Sequence, residues 1–356
     1  MCSFRKSLLW PLVLYIILGG TARAAAYVDV LELPARPSEL AVRSPLLDVT
    51  QAGSRLVSVG QRGHILYSDD AGQTWKQAQV PVSVDLNAVH FPTAQQGWAV
   101  GNDGVILHTS DAGQSWSKQL DGRQIGDLLI DHYGARASAE PENEQWPLLV
   151  AEGERLKAEG ADKPFLDVWF ESERSGYVVG VFNLILATTD GGQTWTPWQD
   201  RTDNPQGLNL FAIDNTGDAL YLVGEQGLVR RLDQGTQTFD RIETPYQGSF
   251  FGVTGQHGEV LVYGLRGNVL RSLDRGASWQ TLQSDLEVSF TAATNGPHGS
   301  YRLFTQAGHQ LLAEPGARKL RLLPLSEPAP IAGALQTTEG PLILVGNRGV
   351  RRLSAE

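Results

Sequence analysis

Ser68-Asp69-Asp70-Ala71-Gly72-Gln73-Thr74-Trp75 recurs as Thr109-Ser110-Asp111-Ala112-Gly113-Gln114-Ser115-Trp116. It recurs again as Thr188-Thr189-Asp190-Gly191-Gly192-Gln193-Thr194-Trp195 and as Ser272-Leu273-Asp274-Arg275-Gly276-Ala277-Ser278-Trp279. All four fit Ser/Thr-x-Asp-x-Gly-x-Ser/Thr-Trp. A degraded copy, Leu232 to Phe239, carries one extra residue. Upstream of each copy stands a segment like Val100-Gly101-Asn102-Asp103-Gly104-Val105-Ile106-Leu107, and before that a short apolar run such as Leu86-Asn87-Ala88-Val89-His90-Phe91. Each unit therefore reads as four short β runs joined by tight turns. In this reading glycine supplies positive φ in the G-x-x-G turn between the second and third runs. The repeated Asp caps the next turn, and its Trp packs between sheets.

The spacing sets the architecture. Trp75 to Trp116 is 41 residues, and Phe239 to Trp279 is 40. Four strands per forty residues, repeated, describe an all-β, seven-bladed β-propeller of four-stranded blades. The inner strands are expected at Leu46, Leu86, Leu166, Leu208, Phe250, Val288 and Ile331. The sixth blade has lost the motif, with Glu314-Pro315-Gly316 in its place. The seventh ends after its third strand, at Leu353, so the expected fourth strand is Val28 to Leu33, joining both ends of the chain in one sheet. Trp116 to Trp195 spans 79 residues, and the excess falls in 121–164. There Ile125, Leu128, Leu129, His132 and Tyr133 have helical spacing, as do Leu149, Val150 and Leu156. A helical hairpin between blades 2 and 3, broken over Gly134 to Asn143, is expected. The alternative is a disordered loop, which such apolar periodicity disfavours.

Composition agrees with an exported binding module. The 356 residues hold 39 Gly, 18 Pro and one Cys, Cys2, with a net charge of −10. That charge argues against nucleic acid as partner. One Cys excludes an internal disulfide and a Cys-based zinc site. Arg5 and Lys6 precede the apolar run Leu8 to Leu18, and Ala22-Arg23-Ala24 fits a cleavage site. Residues 1–24 therefore read as a signal peptide and 25–356 as one propeller domain; an uncleaved anchor is the alternative. Cys2 lies before the apolar run, so no covalent lipid anchor is expected. The expected location is the periplasm, or the thylakoid lumen in a photosynthetic cell, and the expected state is a monomer.

The repeat is the Asp-box, or bacterial neuraminidase repeat. With its flanks, as carried by Val100 to Trp116 and Val179 to Trp195, it resembles the photosystem II stability/assembly factor family of seven-bladed propellers. The resemblance covers about residues 28–356. It implies a non-enzymatic exported factor that binds a protein partner and aids assembly or stability of a membrane protein complex. The helical insertion and worn sixth blade depart from that pattern. They point to a periplasmic relative in a bacterium without photosystems, serving another membrane complex such as an envelope transporter.

Strand alternation puts the G-x-x-G turns and the links between blades on one face and the Asp-boxes on the other. Arg62, Asp103, Asn183, Gln226, Arg266 and Arg348 mark the first face. Of these, Arg62, Asp103, Asn183, Arg266 and Arg348 are the candidate partner-binding residues, the arginines suiting a carboxylate or acidic segment. Polar turn residues are also common simply because they are solvated. Asp70, Asp111, Asp190 and Asp274, with Trp75, Trp116, Trp195 and Trp279, read as structural. Asp48, Asn87, Asp167 and Asn209 begin inner strands and are expected to bond between blades.

An Asp-box glycosidase or sialidase is the alternative function. Glycoside hydrolysis needs paired carboxylates across a cleft. Asp48 and Asp167 are available, but the position recurs as Asn in blades 2 and 4, which does not suit acid–base chemistry. The Arg-Ile-Pro of sialidases is absent; Pro34-Ala35-Arg36-Pro37 is the closest stretch. His64, His90 and His108 lack metal spacing. No catalytic residue, cofactor or metal is expected. A glycan-binding propeller would instead show aromatics at the channel mouth, for which Trp169 and Phe182 are candidates.

Overall fold

The computed structural model describes residues 28–256, 258–337 and 340–354; the expected signal peptide and its cleavage site lie outside them. Six four-stranded antiparallel sheets and one three-stranded sheet follow one another along the chain. Their inner strands are Leu46–Ala52, Leu86–His90, Phe165–Phe170, Leu210–Asn215, Phe250–Gln256, Phe290–Asn295 and Ile331–Gln336. Each inner strand packs on the next, and Leu46–Ala52 packs on Ile331–Gln336, so the seven sheets form a ring.

A shared register fixes six of the seven blades; in the sixth, Phe290 pairs with Thr305 instead of a glycine. Leu46, Leu86, Phe165, Leu210, Phe250 and Ile331 each pair with a glycine of their own second strand. All six are buried. A Cβ on any of those glycines would lie within 2.1–2.4 Å of the carbonyl preceding the inner strand. The first glycine of G-x-x-G is thus required by close backbone approach, not by positive φ: Gly60 is extended at φ −176°. Positive φ falls on the last two residues of the turn, such as Arg62 (58°) and Gly63 (71°).

The Asp-box loops repeat to atomic detail. Asp70 accepts the Thr74 amide at 2.8 Å and the Thr74 hydroxyl at 2.6 Å, while the Ser68 hydroxyl donates to it and accepts from the Gly72 amide. Asp111, Asp190 and Asp274 do the same. These donors hold the carboxyls of Asp70 and Asp274 down to about 2. Trp116 and Trp195 are buried, Trp75 and Trp279 partly so.

Each of these loops is also gripped by its neighbour. Arg55 donates to Ala112 O, Gln119 to Gly191 O, Arg201 to Gln237 O, Arg231 to Arg275 O and Arg352 to Ala71 O. In the worn sixth blade Arg271 serves the loop at two points, Glu314 O and Ala317 O, and is ion-paired with Glu259 at 2.8 Å.

Ring closure corrects the sequence expectation. Residues 28–33 form a turn, not a strand, and the seventh sheet keeps three strands. Val30, Leu31 and Leu33 instead lie against blades 1 and 2, where Val30 O and Leu33 O accept from Ser83. Asp29 bonds back to the Leu31 amide, which bends the segment away from a ladder. The ring closes through Ile343 and Val345 packed on Leu46, Val49, Leu56 and Leu66, and through Arg352.

Two helices, α1 (Gly122–Ala139) and α2 (Gln145–Glu159), stand in the chain between blades 2 and 3. Asp121 caps α1 in a reciprocal box with Gln124. Gly126 and Gly153 let the helices touch; a Cβ on Gly126 would lie 2.8 Å from Gly153 O. Ile125, Leu129, Tyr133, Trp146 and Leu156 share a core with Trp98, Phe165 and Phe170 of the blades. The expected break over 134–143 is shorter, because α1 runs through Gly134 on the good helix formers Ala135 to Ala139.

Arg271→Ala strips a fully buried cation from Glu259 and from two carbonyls. It is expected to cost about 3–5 kcal/mol in urea unfolding, against under about 1 kcal/mol for the solvated Arg231→Ala.

Candidate functional site

The turn face is built by cross-blade capping. The Arg62 amide donates to Asp85 Oδ1 at 2.8 Å, and the Phe182 amide to Asn209 Oδ1 at 2.7 Å. Each turn residue is thus held in the left-handed region by the next blade, with its side chain free to vary. Arg62, Arg266 and Arg348 are exposed.

The path of residues 34–45 adds to this face. Ala35 packs beside Gly63, and a Cβ at Gly349 would lie 2.7 Å from Arg43 Cα. The segment therefore runs from the turn of blade 1 to the turn of blade 7. It brings exposed Arg36 and Arg43 to the same junction as Arg62 and Arg348. None of these four guanidinium groups has an ion pair among the described residues. Glu39 stands on the same segment and Asp85 takes the Arg62 amide, so four unpaired arginines meet these two carboxylates and leave a local excess of positive charge on a chain of net charge −10. The repeat pattern gives no sign of Arg36 and Arg43 as site residues, because their place depends on a path of chain that the repeat does not encode. The Pro34-Ala35-Arg36-Pro37 stretch was the available signal, since its prolines favour an extended run.

The other candidates fall elsewhere. Arg266 belongs to blade 5 and does not join the four. Asp103 lies under α1; burial and the charges of Asp29, Asp162, Asp85 and Asp121 raise its carboxyl. Asn183 is a correction: it is 7% exposed and inward. It takes the place of the second turn glycine, with φ 60°, donates to Gln199 O and accepts from Thr202 and Asn204. The exposed residue of that turn is Phe182, 54% accessible, which lies against α2 and not at the channel mouth.

The channel holds Asp48, Asp167 and Asp214. Asp48 Oδ2 accepts the Val89 amide of blade 2, and Asp167 Oδ2 the Ile213 amide of blade 4. Asn87 donates to Phe165 O, and His90 Nδ1 accepts the Phe170 amide. The register separates residues that the sequence pattern had aligned. Asp48 and Asp167 share a position that is Ala88 and Ala212 in blades 2 and 4; Asn87 is one residue earlier and Asn209 precedes its strand. Alternation of Asp with Asn is therefore no argument against catalysis. The backbone bonds are one, since both carboxylates are already engaged between blades. Burial raises Asp48 and Asp167 and lifts Asp214 to about 7, while it pulls His90 down to about 4.

With this geometry, comparison with known proteins is informative. A family described as photosynthesis system II assembly factor YCF48 matches residues 31–140 and 152–309, well over half of the chain. The chain belongs to the YCF48 family. Two relatives are each named "Photosystem II assembly lipoprotein Ycf48". The one from Synechococcus sp. (strain CC9902) is 27% identical over 140 residues, 38% of this chain and 42% of the relative. The one from Parasynechococcus marenigrum (strain WH8102) is 30% identical over 148 residues, 40% and 44% of the two chains. The match thus spans less than half the length of these YCF48 relatives. Among solved structures, YCF48 bound to D1 peptide superposes with a TM-score of 0.63 at 15% identity, covering 88% of this chain and 94% of its own. YCF48 from Cyanidioschyzon merolae gives 0.63 at 13% identity, covering 90% and 97%. The WD40 propeller of Doa1 gives 0.60 at 10%, covering 91% and 96%; at these identities the likeness is one of fold.

Asp214 gives a pH test of the channel. Folded Asp214 keeps its proton to about pH 7, and the unfolded carboxyl loses it near 3.8. The folded state binds more protons between those values, so this group's contribution to stability falls as pH rises through that window. His90 opposes it, because its folded form is neutral above about 4 and its unfolded form only above 6.5. Asp214→Asn removes one of the two. Its stability relative to wild type is expected to grow from pH 4 to 7 in urea unfolding and then level off. A pH-independent difference would contradict the assignment.

Proposed function

We propose that the chain is an exported, non-enzymatic propeller that binds a carboxylate-bearing segment of a protein partner and aids assembly or stability of a membrane protein complex. The observation that carries this reading is the unpaired cluster of Arg36, Arg43, Arg62 and Arg348 over the junction of blades 7 and 1. Exposed arginines on an acidic body attract acidic segments over a range set by salt and bind carboxylates in a fork. Membership of the YCF48 family supports a role in assembly, and a YCF48 of this fold has been solved bound to D1 peptide. Relatives named as lipoproteins support export. For the complex served we propose an envelope assembly other than a photosystem, such as a transporter, supported by the worn sixth blade.

The test uses a labelled twelve-residue Asp/Glu-rich peptide with a free C-terminal carboxylate, followed by fluorescence anisotropy. Arg62→Ala/Arg348→Ala is expected to weaken binding at least tenfold, since each charge-assisted bond is worth about 1.5–3 kcal/mol. Arg266→Ala should change it less than threefold. Binding that survives the double substitution would overturn the proposal.

A further inference from the structure

Phe182 breaks the rule of its position. The equivalent left-handed turn residues of blades 1, 2, 4 and 5 are Arg62, Asp103, Gln226 and Arg266, all polar. A bulky residue at φ 52° is an outlier, and here its ring is more than half exposed. Leu148, at the start of α2, is 71% exposed. Both line one groove of about 870 Å³ between α2 and blades 3 and 4. Leu156, Leu184 and Phe239, all buried, form its base. The rest of α2 and its hairpin has no such exposed apolar pair.

The charges of the groove are one-sided once internal pairs are set aside. Arg155 is taken by Glu152 and Glu159, and Lys163 by Glu159 and Asp162. Asp200 is taken by Arg136 and Tyr133. Glu144, Asp203 and Asp240 remain, each exposed and none in an ion pair among the described residues, against one cation, Arg201, which is held by Gln237 O and the Trp198 ring. The unmatched charge around the groove is therefore negative. Phe182 already accepts cationic neighbours, with Arg155 Cζ at 5.7 Å and Lys163 Nζ at 5.9 Å from its ring centre.

We propose that this groove is a second docking site, distinct from the arginine cluster, and that it takes a short protein segment pairing apolar side chains with Lys or Arg. Phe182 and Leu148 are the two apolar anchors, and Glu144, Asp203 and Asp240 meet the basic groups. A partner would then be held at two places of opposite charge: an acidic stretch on blades 7 and 1, and a basic apolar stretch beside the helices. Such a pairing fixes orientation as well as affinity.

The probes are three labelled eighteen-residue peptides: an amphipathic Leu/Lys helix, its Leu/Glu counterpart, and a Lys/Ser peptide of equal charge. The full chain should bind Leu/Lys at least tenfold more tightly than either of the others. Phe182→Gln with Leu148→Ser should remove at least tenfold of that affinity. Gln occupies the same turn position in blade 4, so the fold is kept and an unchanged thermal midpoint verifies it. Glu144→Gln/Asp203→Asn/Asp240→Asn should bring Leu/Lys and Leu/Glu to within threefold of each other. Arg62→Ala/Arg348→Ala should leave Leu/Lys binding unchanged, which separates this site from the arginine cluster. Equal binding of Leu/Lys and Lys/Ser, a preference for Leu/Glu, no binding of any peptide, or Leu/Lys affinity untouched by the anchor substitutions would each overturn the proposal.

Discussion

A side chain reaching from one blade to a backbone carbonyl of the next holds the ring together. Ala71, Ala112, Gly191, Gln237 and Arg275 all have positive φ, and each offers its carbonyl to the preceding blade. A turn oxygen left without a donor costs about 1–3 kcal/mol where it is buried and less where water reaches it. Supplying it from the neighbour makes each blade depend on the one before. The last contact of the series, Arg352 to Ala71, closes the circle without a shared strand. In the sixth blade, where the Asp-box is lost, Arg271 takes over with two carbonyl bonds and a buried partner, Glu259.

Because stability resides in the Asp-box loops, the channel clasps and the core between sheets, the opposite face is free to diversify. Its turns keep their backbone through glycines and caps from the next blade, so Arg, Asp, Phe and Gln can occupy the same place. Charge can then be laid down in patches. Arginines gather over blades 7 and 1, while carboxylates surround Asp103 near α1. The helical pair is anchored into the core of blades 2 and 3 rather than hung from it, and so presents a fixed surface beside the turns.

The blade count, strand order and helical pair were legible because each rests on a local pattern: forty-residue spacing, Asp-box chemistry and helical periodicity. The closing strand was not legible, since Val28 to Leu33 is apolar enough for a strand and only its bond from Asp29 and its seat on Ser83 decide otherwise. Asn183 was misplaced because G-x-x-G and Gly-Val-Phe-Asn look alike until φ assigns the last residue to the glycine position. Asp48 and Asn87 were aligned by their neighbours, although Asp48 stands two residues after the glycine-paired Leu46 and Asn87 one residue after the glycine-paired Leu86. Arg36 and Arg43 belong to the site through chain path alone.

The central claim is that recognition occurs on the turn face over blades 7 and 1. Hydrogen–deuterium exchange of the protein with and without the acidic peptide tests it most directly. The account predicts slowed exchange in residues 35–45, 60–63 and 346–349, with the Asp-box loops and channel strands unchanged. Protection concentrated in 71–74 and 112–115, or along the inner strands around Asp48 and Asp167, would contradict it.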